Sequence, residues 1–254
     1  NTPKVVGGYT AACTERAVEL YSQLVDVVVP VSGTREAEMS KLLENTYRHV
    51  NIALVNEIAV FSHDLGIDVW ESLRAASTKP FGFTAFYPGP GVGGHCIPID
   101  PNYLSHSVRS LGYQFKFVEL AQDVSNRMPA YVVTRVQGQL NEMEKPVKNS
   151  KVLVLGLTYK PNIADDRETP ARPVIRGLLS RGARVQAHDP YLKSFEVDGV
   201  EIDLAQDLDQ ALRDADIVVL LQAHSAYDLA HIADLSTAVF DTRGLMEGNN
   251  VERL

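Results

Sequence analysis

Residues 151–160 read KVLVLGLTYK, and this segment decides the fold of the second half of the chain. The four apolar residues 152–155 predict a buried strand, and Gly156 follows directly after it. Further along the chain, helical patterns alternate with short apolar runs. The helical patterns cover 170–181 and 206–214, and the runs cover 184–187, 217–221 and 239–240. This alternation predicts an α/β domain with a parallel sheet and right-handed crossovers, beginning at about residue 149.

The preceding residues are predominantly helical in pattern. Residues 35–65 predict one long helix, with Thr34 as its N-cap and Gly66 as its stop signal. Its apolar side chains lie on most faces, so we expect it to be buried on several sides, in part by a second subunit. Shorter helices are predicted at 13–29, at 69–76 with Asp68 at its start, and across 102–143 with a break or a start at Pro129.

Composition limits the class of protein. The chain has 254 residues, 45% of them hydrophobic and 22% charged, which suits one or two globular domains. A net charge of −8 argues against a general binder of nucleic acid or of membrane surfaces. No apolar run approaches the ~18 residues of a membrane span. Two cysteines suit a reducing compartment, so we expect a cytoplasmic protein. Because the chain starts at Asn1 without Met, we expect a piece of a longer protein.

Residues 89–94 match the pattern GxGxxG, yet their context differs from that of a dinucleotide-binding loop. Such a loop follows a strand and opens a helix. Here Pro88 precedes the motif and Pro90 interrupts it, and His95 and Cys96 follow. We therefore predict a defined loop over residues 80–101, in which these glycines let the backbone approach a ligand closely.

Two groups of residues are candidates for catalysis. Cys96 lies in this loop, beside His95 and four residues before Asp100, so it is a candidate nucleophile. The alternative is an inert thiol, which is our interpretation of Cys13. On the long helix, a polar face suits stabilisation of an oxyanion, although it could equally be a solvated face. This face is formed by Lys41, Asn45 and Arg48.

Three cations follow predicted strands of the α/β domain. Lys160 and Arg167 come after the first strand, and Arg243 comes after the strand at 239–240. Ligands of open α/β sheets bind beyond the carboxyl ends of the strands, and these cations would suit phosphates there. Ordinary surface cations are the alternative.

Four motifs together resemble the UDP-glucose/GDP-mannose dehydrogenase family, in the family's order and over nearly the whole chain. They are GVGGHCIPIDP at 91–101, EMSKLLEN at 38–45 with Asn56 and Glu57, GLTYKP at 156–161 with DDRETP at 165–170, and HDP at 188–190. FYPGPGVGGHC at 86–96 and NTPKVVGG at 1–8 are most similar to bacterial UDP-N-acetylhexosamine 6-dehydrogenases.

The resemblance implies a helical dimerisation domain carrying the catalytic cysteine at 13–148 and a Rossmann-like UDP-binding domain at 149–254. Residues 1–12 would be a remnant of the family's NAD-binding Rossmann domain, which is otherwise absent from this sequence. The resemblance also implies a homodimer through the helix at 35–65 and a role in surface polysaccharide synthesis. We expect the chain alone to be inactive, because nothing in it holds NAD.

The implied reaction oxidises the C6 alcohol of a UDP-N-acetylhexosamine to the carboxylate in two hydride transfers to NAD. Cys96 would carry a thiohemiacetal and then a thioester, Lys41 and Asn45 would stabilise the oxyanion, and Asp100 would act as acid and base through water. Arg167 would reach the NAD phosphates, and no metal is implied. The implied substrate-binding residues are Arg48, Tyr87, Gly89, Gly93, Tyr159, Lys160 and Arg243.

Three alternatives remain. The chain could be a non-catalytic UDP-sugar-binding dimerisation module, or the substrate could be UDP-glucose. A cysteine-dependent acyl-transfer hydrolase is a weaker alternative, because the one assignable histidine partner, His95, is adjacent to Cys96 in the sequence.

Overall fold

A computed structural model describes residues 2–97 and 99–254. The fold is α/β, with a mainly helical first part that includes one very long helix and a parallel sheet in the second part. The first part contains β1 (Lys4–Val6), α1 (Ala11–Tyr21), β2 (Val28–Pro30), α2 (Thr34–Asp64), α3 (Val69–Ala76), α4 (Asp100–Arg109) and α5 (Lys116–Glu142). The second contains β3 (Lys151–Leu155), α6 (Ala171–Ser180), β4 (Arg184–His188), β5 (Glu196–Val197), β6 (Val200–Glu201), α7 (Leu208–Asp214), β7 (Ile217–Leu220), α8 (Leu229–Leu235), β8 (Val239–Asp241) and β9 (Val251–Arg253).

The parallel sheet has the strand order β4-β3-β7-β8-β9. In strand β3, which lies between β4 and β7, Val152 and Val154 belong to the core that includes α5 and α6, whereas Leu153 and Leu155 belong to the core under α7 and α8. Both faces of β3 are therefore buried, which explains its uninterrupted apolar sequence. The carboxyl ends of β3, β4 and β7 come together, since Leu155 pairs with His188 on one side and Leu220 on the other.

Helices α2 and α5 form the centre of the first part, and α5 also covers one face of the sheet. The predicted N-cap of α2 is wrong by one position, because Gly33 occupies the cap with no side-chain hydrogen bond and Thr34 is already helical. Asp68 does cap α3, as predicted, by accepting hydrogen bonds from the backbone N–H groups of Trp70 and Glu71.

Helix α5 runs through Pro129 without the predicted break. Proline lacks the N–H that would bond the carbonyl of Ser125, four residues earlier, so that oxygen has no helical partner. Gly91 lies close to the same oxygen, and a Cβ added at Gly91 would be 3.3 Å from it. The proline therefore lies where the loop of residues 89–94 packs on the helix.

Residues 4–30 form a parallel βαβ unit in which β1 pairs with β2 and α1 connects them. The expected boundary between residues 12 and 13 lies within α1. We propose that this unit extends to about Gly33 and that the helical domain begins with α2.

One side of α2 carries apolar side chains that the rest of the chain leaves exposed. They are spaced four or seven residues apart and so share one stripe, which ends at the C-cap Leu65; they are Met39, Leu43, Tyr47, Leu54, Phe61 and Leu65. Within the described ranges, no helix has both the length and the apolar character needed to cross a bilayer.

Candidate active site

The glycine-rich segment 89–94 forms an irregular loop, and the next helix, α4, begins at Asp100. No helix opens directly from the motif, so it lacks the geometry of a dinucleotide-binding turn. Its first glycine lies between the two parts of the molecule. Gly89 N–H donates to Asn56 Oδ1 of α2 at 2.9 Å, and a Cβ at Gly89 would be 3.2 Å from a terminal guanidinium nitrogen of Arg243.

The last two glycines of the loop press against the second part of the chain. A Cβ at Gly93 would lie 2.8 Å from Tyr159 Cβ, and one at Gly94 would lie 2.6 Å from the Tyr159 ring. Gly94 also has a φ of 89° and donates its N–H to the Arg167 carbonyl at 3.2 Å. Both glycines make room for Tyr159, and their expected approach to a ligand stays a prediction.

Three of the four predicted catalytic residues come together at the end of this loop. Asn45 Nδ2 donates a hydrogen bond to Asp100 Oδ2 at 2.7 Å, which joins α2 to the first residue of α4. Asp100 N–H donates to the Cys96 carbonyl at 2.9 Å, so one turn of backbone links the thiol-bearing residue to the carboxylate. Asn45 is buried, while Cys96 is exposed with a free thiol.

The fourth predicted catalytic residue, Lys41, lies apart from this cluster. Its exposed ammonium group pairs with Glu44 at 3.7 Å, and Arg48 pairs with the same carboxylate at 3.6 Å. Arg48 also donates to Asn45 Oδ1 at 3.3 Å. The structure thus connects Arg48 to the cluster and leaves Lys41 one helical turn away from it.

Arg167 belongs to the second part of the chain, and its carbonyl accepts the N–H of Gly94, two residues before Cys96. It forms two parallel hydrogen bonds to Asp165, Nε to Oδ1 at 2.9 Å and an Nη to Oδ2 at 2.6 Å. This contact lowers the pKa of the Asp165 carboxyl to about 2. Asp165 itself, with smaller contributions from Tyr159 and Cys96, raises the pKa of Arg167. Arg167 is therefore a fixed cation near the thiol, and its guanidinium remains exposed.

Arg243 is held at the carboxyl edge of the sheet by a backbone acceptor. Its Nε donates to the Leu221 carbonyl at 2.7 Å. Burial lowers the pKa of Arg243 to about 10, against the opposing charge of Asp241, so the side chain is still a cation at neutral pH.

Asp241 fixes the turn that carries Arg243. Its fully buried carboxylate accepts backbone hydrogen bonds from Arg243 at 2.7 Å, Leu245 at 2.6 Å and Met246 at 2.7 Å. Burial raises the pKa of Asp241 in spite of these bonds. Sequence analysis overlooked this residue, although an acidic side chain that directly follows an apolar run is a usable signal.

The remaining predicted substrate residues are Lys160, Tyr159 and Tyr87. Lys160 is exposed, and the carbonyl of Tyr159 accepts a hydrogen bond from Gln222 Nε2 at 3.1 Å. Tyr87 stacks on Trp70, with ring centroids 6.3 Å apart and an angle of 13° between the planes. Sequence analysis also missed Trp70, Gln222 and the role of Asn56. Only Asn56 had a signal, since it lies eleven residues after Asn45 and so returns to the same helix face.

The described residues contain no group of three or more His, Cys, Asp or Glu side chains arranged to hold a metal ion.

Two sequence profiles match the chain, and both describe parts of one family. Residues 35–127 match the central domain of the UDP-glucose/GDP-mannose dehydrogenase family, and residues 153–251 match its UDP-binding domain. The chain belongs to this family, as the motifs predicted.

Relatives with known names agree with this assignment. The chain is 36% identical to a UDP-N-acetyl-D-mannosamine dehydrogenase of Methanococcus maripaludis, over 97% of this chain and 56% of the relative. It is 35% identical to an NDP-N-acetyl-D-galactosaminuronic acid dehydrogenase of Ralstonia solanacearum, over 95% of this chain and 56% of that protein. The chain therefore spans little more than half the length of these relatives.

A solved structure confirms the fold. The UDP-D-ManNAc dehydrogenase of Pyrococcus horikoshii superposes with a TM-score of 0.83 at 27% identity, covering 99% of this chain and 59% of that one.

Proposed function

We propose that this chain supplies the UDP-sugar-binding and catalytic-cysteine part of an NAD-dependent 6-dehydrogenase that acts on a UDP-N-acetylhexosamine. The observation that carries the proposal is the Asn45–Asp100–Cys96 cluster, placed beside Arg167 and at the end of the loop that packs on Tyr159 and Arg243. The names of the relatives support a UDP-N-acetylhexosamine as substrate.

The nucleotide would bind at the carboxyl edge of the parallel sheet. Lys160 and Arg243 both follow strands of this sheet, and basic side chains at this edge suit a diphosphate. Arg243 is fixed by its bond to the Leu221 carbonyl, so little side-chain freedom is lost when it binds.

Cys96 would then act on C6 of the sugar. Removal of a hydride and a proton from the alcohol gives an aldehyde, and Cys96 Sγ forms a bond to the aldehyde carbon as its oxygen takes up a proton. Loss of a second hydride and this proton leaves a thioester. Attack by water breaks the C–S bond, giving the carboxylate and the free cysteine.

Asp100 and Asn45, which are hydrogen-bonded to each other, would assist these steps. Asp100 would accept a proton through water, and the second amide hydrogen of Asn45 would be donated to the developing oxyanion. Lys41 would contribute only after leaving its exposed pair with Glu44.

NAD, when bound, supplies the hydride acceptor, and two NAD molecules used in succession would be needed for the two hydrides. Within this chain, the exposed guanidinium of Arg167 fits one of its phosphates, and it would exchange Asp165 for that phosphate on binding. We expect the 254 residues alone to bind UDP compounds without reducing NAD.

We also propose a homodimer through α2. The exposed apolar stripe on this helix is a self-complementary surface of the kind that a two-fold interface buries. A cytoplasmic location and a role in polysaccharide synthesis remain predictions.

Calorimetric titration of the chain with UDP, with UDP-N-acetylmannosamine, UDP-N-acetylglucosamine and UDP-glucose, and with NAD tests the proposal. We expect the UDP compounds to bind and a UDP-N-acetylhexosamine to bind more tightly than UDP-glucose. Lys160→Ala and Arg243→Ala should each weaken UDP binding about ten-fold or more. Arg184→Ala is the matched control, because Arg184 lies at the opposite end of β4. Binding of NAD without UDP would contradict the proposal.

A further inference from the structure

A buried carboxylate–imidazole pair lies directly beneath the segment of residues 157–162. Asp189 follows β4 and His224 follows β7, and both side chains are fully buried. His224 Nε2 and Asp189 Oδ2 are 2.9 Å apart. The mechanism proposed above uses neither residue.

The pair holds both ends of this segment. At its start, Leu157 N–H donates to Asp189 Oδ2 at 2.7 Å. At its end, Asn162 N–H donates to His224 Nδ1 at 2.9 Å. Lys160 lies between these two anchor points, and its own carbonyl accepts a hydrogen bond from Thr158 Oγ1 at 2.9 Å.

These contacts define the protonation state of the imidazole. Because Nδ1 accepts the Asn162 N–H, the hydrogen of the neutral ring lies on Nε2 and is donated to Asp189. Asp189 is satisfied on its other oxygen by Tyr191 N–H at 2.9 Å. Each polar atom of the pair therefore has a partner, and the pair can stay fixed in a buried position.

Asn162 adds a second contact to the same anchor. Its backbone has a φ of 63°, in the left-handed region, which asparagine tolerates better than most residues. Its Oδ1 accepts hydrogen bonds from the backbone N–H of Ser225 at 2.7 Å and from Ser225 Oγ at 3.0 Å. Ser225, the residue after His224, thus also holds the Asn162 end of the segment by hydrogen bonds.

We propose that the Asp189–His224 pair is a positioning element, which closes segment 157–162 into a fixed loop and so aims Lys160 at the diphosphate of a bound nucleotide. This inference rests on the proposed function of Lys160. Asp189 and His224 would thus raise the affinity for the nucleotide without contacting it.

A neighbouring buried group provides a matched control. Tyr227 OH donates to the His188 carbonyl at 2.8 Å, and its ring lies against that of His224 with centroids 5.6 Å apart. Tyr227→Phe removes the two contacts of the hydroxyl with His188, at its carbonyl and at Nδ1, from the same edge of the sheet, keeps the ring, and leaves both anchors of the segment in place.

The test measures UDP affinity by calorimetry and amide hydrogen exchange of residues 157–162 for His224→Leu, His224→Gln and Tyr227→Phe. We expect His224→Leu to weaken UDP binding about ten-fold and to speed exchange in the segment. His224→Gln can donate to Asp189 and accept from Asn162, so it should restore most of the affinity, and it replaces the leucine variant if that variant does not fold. Tyr227→Phe should bind UDP as the unmodified chain does.

A double-mutant cycle with Lys160→Ala shows whether the pair acts through Lys160. We expect His224→Leu to weaken UDP binding far less in the Lys160→Ala background than in the unmodified chain. An equal loss in both backgrounds, or unchanged affinity and exchange in a folded His224→Leu chain, would overturn the inference. If the unmodified chain binds no UDP, the proposed function fails, and the exchange data still decide whether the pair orders the segment.

Discussion

Asn45 on α2 donates a hydrogen bond to Asp100 at the start of α4, and this contact joins residues 55 positions apart in the sequence. Asn45 Oδ1 also accepts from Arg48, so both ends of the buried amide are engaged. The contact fixes the carboxylate relative to Cys96, because Asp100 N–H bonds to the Cys96 carbonyl.

Asn45→Ala should therefore destabilise the chain. It leaves Asp100 without its amide donor, and we expect the free energy of unfolding to fall by about 1–3 kcal/mol. Urea unfolding measures the change. Lys41→Ala is the control, since its exposed side chain makes only a surface ion pair and should change stability by less than about 0.5 kcal/mol. Equal losses in the two variants would show that the Asn45–Asp100 contact is not stabilising.

Gly94 and Gly112 allow the effect of backbone strain to be separated from that of the contact with Tyr159. Both glycines have a positive φ, 89° and 83°, but only at Gly94 would a Cβ meet the Tyr159 ring, whereas it would meet nothing within 4 Å at Gly112. Replacing Gly112 by Ala should cost about 1–2 kcal/mol from strain alone. Gly94→Ala should destabilise the chain more than Gly112→Ala does, and it should also weaken UDP binding.

Chemical unfolding and UDP titration of the two glycine variants measure this difference. If Gly94→Ala matches Gly112→Ala in both, the packing of the loop on Tyr159 is not needed for the site.

The pKa of Asp165 reports on Arg167. The guanidinium lowers this pKa from 3.8 to about 2, so the pair favours the folded state at pH values above 3.8 and this contribution is lost as the pH falls through about 2. Arg167→Ala should return the Asp165 pKa toward 3.8. An NMR titration of the side-chain carboxyl carbon measures it, and an unchanged midpoint in the variant would show that Arg167 is not the cause.

Asp241→Asn should disturb the turn that carries Arg243. An amide offers one oxygen where the carboxylate offers two, so at least one of the three backbone N–H groups loses its acceptor. We expect a loss of about 1–3 kcal/mol in stability and weaker UDP binding. Asp234→Asn, at an exposed position of α8, is the control for the change in charge. If Asp241→Asn leaves the affinity for UDP unchanged, the turn held by Asp241 does not contribute to nucleotide binding.

Helices and strands with a clear hydrophobic pattern in their own residues were predicted from the sequence. The apolar run of β3 and the periodicity of α2 are local signals, and both elements formed close to the predicted bounds. Strand β9 was not predicted, because its three residues, Val-Glu-Arg, carry one apolar side chain and are strand only by pairing with β8.

Some parts of the candidate site also had a signal in the sequence, and others did not. The residue types around Cys96 identified the loop, whereas the expected approach of its glycines to a ligand stays a prediction. The partners of those glycines, Tyr159 and Arg243, lie more than sixty positions away, and only the fold brings them together. Lys41 forms an ion pair with Glu44. Helical spacing puts Lys41 and Asn45 on one face, but it does not tell which partner the Lys41 ammonium group contacts.

The central claim is that a bound nucleotide sugar lies next to Cys96. The chain provides an internal reference, since Cys13 and Cys96 are both free and exposed, and Thr10 lowers the pKa of the Cys13 thiol by hydrogen bonding. The most direct measurement is the rate of alkylation of each cysteine by iodoacetamide, followed by mass spectrometry, with and without saturating UDP-N-acetylmannosamine. The account predicts that the sugar nucleotide slows alkylation of Cys96 several-fold and leaves Cys13 unchanged. Unchanged alkylation of Cys96 in a chain that binds the sugar nucleotide would contradict it.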